Sequence, residues 1–347
     1  MEKLLTVAVP SYNAEWCLNK CLSSFIAEQA VSDRLEVIVI NDGSTDNTLK
    51  IAESYRERYP NIFRIIDKEN AGHGSGINAA IKIATGKYFN AVDADDWVIN
   101  LNAFLDILDE TNADAIITHF HTVDMKSGER QEYKTRDIPL NKLYSLDEFT
   151  AWPGDIYPCT VFHGLTYRTE IYRSSNTVLS ERIFYEDQEF STFPFLKVET
   201  ILPVDLFLNQ YLVGNVNQSV SDANHVKRLE QVEQVVHRIF CCYDGYPDMS
   251  VGSRRYIARK CTDLLFNYYV VAMIKNPDKS AGRREAARFR QELLLMKPDL
   301  VKQVDKNYKM TSAMSRLGAS GRMLDVMRHP LFYAVYRKLF KKNGGGK

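Results

Sequence analysis

Three carboxylates follow an apolar run near residue 93, where the chain reads KYFNAVDADDW over 87–97. Side chains at positions i and i+2 of a strand share one face, so Asp93 and Asp95 can reach one point together as the strand ends. A buried carboxylate cluster is costly unless a positive group neutralises it. The spacing therefore predicts a site for a hard divalent cation that takes oxygen ligands and carries a substrate diphosphate. The alternative is an acidic loop that caps a helix.

The elements that must position these acids alternate between strand and helix over the first hundred residues. Apolar runs predict strands at Leu5–Val9, Leu35–Ile40, Phe63–Ile66 and Tyr88–Val92, and apolar residues at helical spacing predict helices over 14–29, 49–59 and 78–85. Such repeats predict right-handed βαβ units and a parallel sheet covered by helices, with ligands at the carboxyl ends of the strands. Polar clusters fall at all four strand ends: 10–13 (PSYN), 41–44 (NDGS), 70–72 (NAG) and 93–96 (DADD).

The pattern changes along the rest of the chain. Ala113–His119 and Thr200–Leu212 are strand-like, and 121–145 is typical of a hairpin or a mobile loop. After about residue 223, apolar residues recur at helical spacing in three stretches, which are Val226–Phe240, Arg254–Ile274 and Arg283–Met296. We therefore predict an α/β domain over 1–222 and a helical C-terminal region over 223–347.

Composition places the chain among ordinary globular proteins. Of its 347 residues, 45% are hydrophobic and 25% charged, which excludes a disordered chain. Lys plus Arg number 44, as do Asp plus Glu, so the zero net charge gives no argument for nucleic-acid binding. The first apolar stretch is too short for a signal peptide and no later run approaches a spanning helix, so a cytoplasmic protein is expected. Cys17 and Cys21, spaced i, i+4, are expected to be core residues rather than half of a zinc site.

Taken in order, the polar clusters resemble those of family 2 of the glycosyltransferases, the large inverting family with the GT-A fold. The matching stretches are 7–13 (VAVPSYN), 37–48 (VIVINDGSTDNT), 70–89 (NAGHGSGINAAIKIATGKYF), 92–97 (VDADDW), 184–190 (FYEDQEF) and, more weakly, 211–221 (YLVGNVNQSVS). The resemblance covers roughly the first 220 residues, and the ordered set is far more specific than any one stretch.

This resemblance implies a Rossmann-like GT-A fold with a mainly parallel sheet. It implies an enzyme that moves a sugar from a nucleotide diphosphate, with a UDP-sugar as the expected donor and Mg²⁺ or Mn²⁺ as the cofactor. The implied acceptor is a saccharide or a lipid-linked saccharide in the synthesis of a bacterial surface polysaccharide. The chain lacks the Gln-x-x-Arg-Trp motif of processive members, so addition of one sugar or a short run is expected.

The resemblance also assigns the donor contacts. Tyr12 is expected to stack on the base, with a core aromatic as the alternative, and Asp42 to accept from a uracil imide or a ribose hydroxyl. Gly43 lets the backbone approach the ligand, while Ser44 donates to the ligand, caps a helix, or does both. His73 either contacts the donor or is an exposed loop histidine. The full predicted donor set is Pro10, Tyr12, Asn13, Asp42, Gly43, Ser44, Asn70, Gly72, His73, Asn78, Asp93 and Ala94.

By the same resemblance, the acids have distinct tasks. Asp95 is assigned to the metal, Asp93 to the ribose or sugar of the donor, and Asp96 to support of the metal site or to a helix cap. Inverting transfer in one step needs a carboxylate that takes the acceptor proton. In relatives the second acid of a Glu-Asp pair does this, which assigns the general base to Asp187 and acceptor contact or orientation to Glu186. The alternative for the pair is a helix N-terminus whose acids the dipole favours.

Three further features of the sequence carry predictions. His163 either contacts the acceptor or is structural. The stretch 218–221 falls where relatives place a loop that closes over the diphosphate. The tail at 328–342 has an apolar face and a basic end, which is typical of peripheral contact with the inner face of the cell membrane or of a terminal helix packed on the domain. Oligomer formation is left open.

Two other functions are weighed against a glycosyltransferase. A sugar nucleotidyltransferase also uses a sheet, a metal and acids, but would carry a glycine-rich basic loop after the first strand, where this chain has PSYN. A nucleotide-sugar-binding scaffold without catalysis is disfavoured because Asp95 and Asp187 are both present.

Overall fold

The computed structural model describes residues 3–27, 33–214, 222–243 and 249–320. The predicted loop at 218–221 and the tail at 328–342 lie outside the described residues. The strands are β1 (Leu5–Ser11), β2 (Leu35–Asp42), β3 (Phe63–Lys68), β4 (Tyr88–Ala91), β5 (Trp97–Val98), β6 (Ala115–Asp124), β7 (Arg130–Tyr133), β8 (Tyr144–Ser145), β9 (Leu165–Arg168) and β10 (Thr200–Val213).

One mixed sheet contains all of these strands, in the order β3-β2-β1-β4-β9-β6-β10-β5, with β7 beside β6 and β8 beside β10. β1 runs parallel to β2 and β4, and β2 runs parallel to β3. β9 is antiparallel to both β4 and β6, and β10 is parallel to β6. The predicted parallel sheet is therefore confirmed for the first four strands. Short sequence separation along βαβ units explains why that part could be predicted.

The helices flank this sheet and then dominate the C-terminal region, as predicted. They are α1 (Leu18–Ser24), α2 (Thr48–Arg58), α3 (His73–Ile83), α4 (Leu101–Glu110), α5 (Leu146–Ala151), α6 (Thr169–Ser174), α7 (Asp187–Phe190), α8 (Asp222–Lys227), α9 (Leu229–Cys242), α10 (Val251–Val270), α11 (Lys279–Met296), α12 (Pro298–Gln303) and α13 (Asp305–Arg316). A π-helical turn at Val271–Lys275 extends α10. Within the described residues, no helix is both long and apolar enough to cross a bilayer.

Continuous apolar runs bury the first two strands completely. Every residue of β1 and β2 is buried, and the cluster around them includes Leu18, Leu22 and Phe104, each without exposed surface. Full burial of one such side chain stabilises the folded state by about 1.5–3 kcal/mol. Cys17 and Cys21 belong to the same cluster, so their prediction as core residues is confirmed.

The structure corrects one local prediction and decides between the two alternatives of another. Helix α3 begins at His73 rather than near residue 78, because the glycines ahead of residue 78 are part of the helix. A Cβ on Gly74 would lie 2.3 Å from the carbonyl oxygen of Ser180, so only glycine admits the neighbouring segment there. Within 121–145 the hairpin alternative is confirmed, since β7 pairs antiparallel with β6.

Contacts divide the chain into two compact units. Among described residues, the first contains 3–214 and 238–260, and the second contains 222–237 and 261–320. The second unit is helical, with Tyr268 of α10 packed against Phe289 of α11 at a centroid distance of 4.8 Å. The domain boundary near residue 222 stays a prediction. All residues of the site described next belong to the first unit.

Candidate active site

The loops after β1 and β2 interlock at the carboxyl edge of the sheet. The amide of Asn13 donates to Ser44 Oγ at 3.0 Å, and the amide of Thr45 donates to Asn13 Oδ1 at 2.9 Å. Asn13 adopts φ 48°, in the left-handed region that asparagine tolerates. Tyr12 next to it is 55% exposed, so it is not a core aromatic and its ring is accessible to a planar ligand.

Asp42 fixes the loop that follows β3. Its Oδ1 accepts from the amide of Ala71 at 3.0 Å, and its Oδ2 from the amide of Gly72 at 2.8 Å. Asn70 Nδ2 donates to the Asp42 carbonyl at 2.9 Å. Gly43 has φ 72°, and a Cβ there would lie 2.8 Å from the Asn70 nitrogen, so the close approach requires glycine. The Asp42 carboxylate therefore already accepts backbone hydrogen bonds, and its contact with a uracil or ribose stays a prediction.

Three other residues of the predicted donor set lie inside the protein. Pro10 is buried within β1, opposite Ile40 of β2. Ala94 is only 9% exposed and packs in the core cluster. Asn78 exchanges two hydrogen bonds of 2.9 Å with the backbone of Leu179. The amide of Asn78 thus anchors the segment that leads to Glu186, and its predicted donor contact is untested.

His73 connects two acids that are far apart in the sequence. Its Nδ1 lies 2.7 Å from Glu186 Oε1, and its Nε2 lies 2.8 Å from Asp93 Oδ1. The side chains of His73, Asp93 and Glu186 are 31%, 28% and 5% exposed. Burial opposes protonation, but hydrogen bonds to Asp93 and Glu186 and their charges raise the pKa of His73 well above its usual value. As the first residue of α3, it is not the exposed loop histidine that was the alternative.

The carboxylates at the end of β4 have different surroundings. Asp96 has no exposed surface, and its Oδ1 accepts from the amide of Leu212 at 2.8 Å. Burial raises the pKa of Asp96 to about 7. For Asp93, burial acts against ionisation, but the hydrogen bond and charge of His73 prevail and lower its pKa. Asp95 is half-buried. Asp93 and Asp96 thus differ in how readily they ionise.

His163 lies beside Asp96, and its ring stacks on Tyr211 at a centroid distance of 3.9 Å. Its Nδ1 is 3.4 Å from Asp96 Oδ2. Both atoms are buried, and neither makes a hydrogen bond with the described part of the chain. Because buried polar atoms are normally satisfied, this pair indicates a place where a further partner can bind.

The side chains around this place are of the types that bind a divalent cation. Asp93, Asp96 and His163 each present one ligand atom, and these atoms lie within 4.8 Å of one another. Two carboxylates and an imidazole suit a cation such as Mn²⁺, and Asp96 Oδ2 is buried without a hydrogen bond, with His163 Nδ1 3.4 Å away. Asp95, the predicted ligand, is not a member of this group.

The Glu186-Asp187 pair stands at the start of α7. Asp187 is half-buried, and its Oδ2 accepts from Gln188 Nε2 at 2.8 Å. Burial first, and then the negative charge of Glu186, raise the pKa of Asp187 to about 6. A helix of four residues has little dipole, so the helix dipole does not explain the pair. A carboxylate that titrates near neutral pH is suited to accept and release a proton.

One supporting ion pair was not expected from the sequence. Glu189 has no exposed surface, and both of its carboxylate oxygens lie 2.9 Å from Arg238 NH1. Its Oε2 also accepts from the amide of Ser180 at 2.7 Å. Glu189 lies inside the FYEDQEF stretch, so its position in that motif was the available signal. No signal near Arg238 in the sequence marks it as a partner.

The chain is similar in sequence to known glycosyltransferases. The sequence model of glycosyl transferase family 2 matches residues 6–173. EpsJ of Bacillus subtilis (strain 168), described as an uncharacterized glycosyltransferase, is 29% identical over 59% of this chain and 60% of its own length. A poly(ribitol-phosphate) beta-glucosyltransferase of Bacillus spizizenii is 25% identical over 63% of this chain and 34% of its own length.

A solved structure matches nearly the whole chain. It is residues 1–349 of TarS from S. aureus in complex with UDP-GlcNAc, with a TM-score of 0.62, 18% identity, and coverage of 91% of this chain and 92% of that one. At this identity the match shows the fold, which is the predicted GT-A fold. The chain spans between about a quarter and 60% of the length of the first curated relatives it matches.

Proposed function

This chain belongs to glycosyl transferase family 2, and from that premise we propose that it moves a hexose or an N-acetylhexosamine from a UDP donor to a glycan. The observation that carries the proposal is the convergence of Asp187 and its neighbour Glu186 with the acids at the end of β4. His73 links the two groups of acids, because it contacts both Asp93 and Glu186. Inverting transfer in one step needs a base on the acceptor side of the reacting carbon and a group on the donor side that stabilises the leaving diphosphate.

In this proposal Asp187 is the general base. Its carboxylate takes the proton of the acceptor hydroxyl as that oxygen attacks the anomeric carbon of the donor. The bond from the anomeric carbon to the phosphate oxygen breaks on the opposite face, UDP leaves, and the configuration inverts. A pKa near 6 supports this role, because the group is mostly ionised at neutral pH and remains basic enough to accept a proton.

The donor's uridine is placed at the carboxyl ends of β1 and β2. The exposed ring of Tyr12 offers a stacking face. The loop of Asn70 and Gly72 is held by Asp42 at the edge where the diphosphate would lie. This position follows the general rule for parallel sheets, and the match to a TarS structure with bound UDP-GlcNAc supports a UDP-sugar as the donor.

We propose that the acidic end of β4 would hold the cation, with Asp95 as its ligand. Asp95 is half-buried, whereas Asp96 has no exposed surface. The competing ligand set is Asp93, Asp96 and His163. When bound, Mg²⁺ or Mn²⁺ would neutralise the charge that develops on the departing diphosphate.

The acceptor is proposed to be a polymer of the cell surface. Several relatives act on poly(ribitol-phosphate), according to their names, and this supports a polyol-phosphate chain or a related surface polysaccharide. A lipid-linked precursor is the alternative, and it would give the basic tail at 328–342 a membrane partner. A cytoplasmic enzyme with peripheral attachment to the inner face of the membrane is therefore our proposal for its location.

The experiment that tests this function is a panel of UDP-, dTDP- and GDP-sugars, with release of the nucleoside diphosphate as the readout. Poly(ribitol-phosphate) and short glycans serve as acceptors, and each reaction is run with and without EDTA. Acceptor-dependent release of UDP supports the proposal. Binding of UDP-sugar without turnover for every acceptor would favour the scaffold, and release of pyrophosphate from sugar 1-phosphate and UTP would favour a nucleotidyltransferase.

A further inference from the structure

A single imidazole spans the two halves of the proposed site. His73 Nδ1 contacts Glu186 Oε1, which belongs to the pair on the acceptor side. His73 Nε2 contacts Asp93 Oδ1, which lies at the end of β4 on the donor side. Glu186 is 113 positions away from His73 in the sequence, so this contact is a product of the tertiary fold.

The surroundings of His73 are built to permit this contact. Gly72 caps α3 with φ 90°, and a Cβ there would lie 2.9 Å from the nitrogen of Arg182. On the other side of His73, a Cβ on Gly74 would meet the carbonyl oxygen of Ser180 at 2.3 Å and the Cγ of Glu186 at 3.0 Å. Because neither flanking residue has a side chain, the segment that carries Glu186 can pack against the start of α3.

The ring is also held from a third direction. The Phe162 ring lies 5.6 Å from the His73 ring, centroid to centroid, at an angle of 60°. An aromatic neighbour and two carboxylates fix the plane of the imidazole. Each ring nitrogen of His73 therefore faces one carboxylate oxygen, at 2.7 Å for Glu186 and 2.8 Å for Asp93.

We propose that His73 is a positioning residue that ties the acceptor-side acid to the donor-side acid. Through Nδ1 it holds Glu186 away from the acceptor hydroxyl and leaves Asp187 as the base. Through Nε2 it orients Asp93 toward the donor. This role rests on the proposed function, and it differs from the donor contact predicted for His73 from the sequence.

Two variants separate the two bonds. His73→Asn keeps an amide N–H close to the place of Nδ1, so it retains the bond to Glu186 and loses the bond to Asp93. His73→Gln keeps an amide N–H close to the place of Nε2, so it retains the bond to Asp93 and loses the bond to Glu186. The two substitutions remove the same ring and differ in which acid is released.

The first measurement is calorimetric titration with UDP in the presence of Mn²⁺, which needs no turnover. We expect His73→Asn to weaken UDP binding about tenfold or more and His73→Gln to stay within about threefold of the unchanged protein. The second measurement is steady-state transfer. We expect His73→Gln to lower kcat about 10- to 100-fold with little change in the donor KM, and His73→Asn chiefly to raise that KM.

The matched control is His237→Gln, since the His237 side chain is 43% exposed on α9. Thermal unfolding of all three variants shows whether they fold. If both His73 variants lose UDP affinity and transfer activity equally, in proportion to the fall in their melting temperatures, His73 has a structural role and the proposal is overturned. The proposal is also overturned if both variants bind UDP and transfer sugar normally. If the unchanged protein transfers no sugar, the proposed function fails, and the UDP titration still decides the role of His73.

Discussion

Glu189 and Arg238 form an ion pair in which the carboxylate is wholly buried and the guanidinium is 41% exposed. Glu189 lies two residues after Asp187, and Arg238 approaches it from α9. Arg238 NH2 also donates to the carbonyl of Val178 at 3.0 Å. The pair therefore fixes both the short helix that begins at Asp187 and the segment that precedes it.

We expect Arg238→Ala to lower the free energy of unfolding by about 1–3 kcal/mol, because a buried carboxylate loses its partner. Urea unfolding measures this. The double variant Arg238→Met, Glu189→Gln removes both charges and is expected to recover part of the loss. Lys302→Ala is the control, since Lys302 and Asp299 form an exposed pair at 4.0 Å and its removal should change stability by less than about 0.5 kcal/mol. Equal effects of Arg238→Ala and Lys302→Ala would contradict the account.

The pH dependence of transfer should report the titration of Asp187. Burial and Glu186 raise its pKa to about 6, and a general base acts only when it is deprotonated. Activity is therefore absent well below pH 6, rises as pH passes through about 6, and levels off above it. The measurement is kcat/KM against pH at saturating Mn²⁺. A flat profile between pH 5 and 8 would exclude Asp187 as the ionising group in the free enzyme.

The two candidate metal ligand sets are distinguished by Asp95→Asn and Asp96→Asn. If Asp95 is the ligand, Asp95→Asn weakens Mn²⁺-dependent UDP binding about tenfold or more, while UDP binding without metal is unchanged. Asp96→Asn then has a smaller effect on Mn²⁺-dependent UDP binding and a larger effect on the free energy of unfolding, since Asp96 is buried and accepts a hydrogen bond from the amide of Leu212. Titrations that show loss of Mn²⁺ dependence in Asp96→Asn alone would favour the set of Asp93, Asp96 and His163.

The parts of the fold that sequence could predict are those whose information is local. β1 and β2 read as continuous apolar runs because both faces of each are covered. The four polar clusters could be placed at one edge because parallel strands end together. The antiparallel position of β9 between β4 and β6 depends on distant pairing, and no short pattern in Leu165–Arg168 marks it.

The same distinction holds within the site. The i, i+2 spacing indicated that Asp93 and Asp95 lie at a strand end, and the Glu-Asp pair could be assigned from its motif. The contact of His73 with Glu186 and the burial of Asp96 beside His163 could not be foreseen, because they arise where loops from distant parts of the chain meet. Gly72 and Gly74 on either side of His73 leave room for close packing of the segment that carries Glu186.

The most direct test of the account is transfer by Asp187→Asn, a substitution that preserves shape and removes the base. The readout is acceptor-dependent release of UDP, with UDP affinity measured on the same protein by calorimetry. We expect kcat to fall about 10²–10⁴-fold, the range for a general base, and UDP affinity to stay within about threefold of that of the unchanged chain. Retained turnover at unchanged UDP affinity would contradict the assignment of Asp187 as the base.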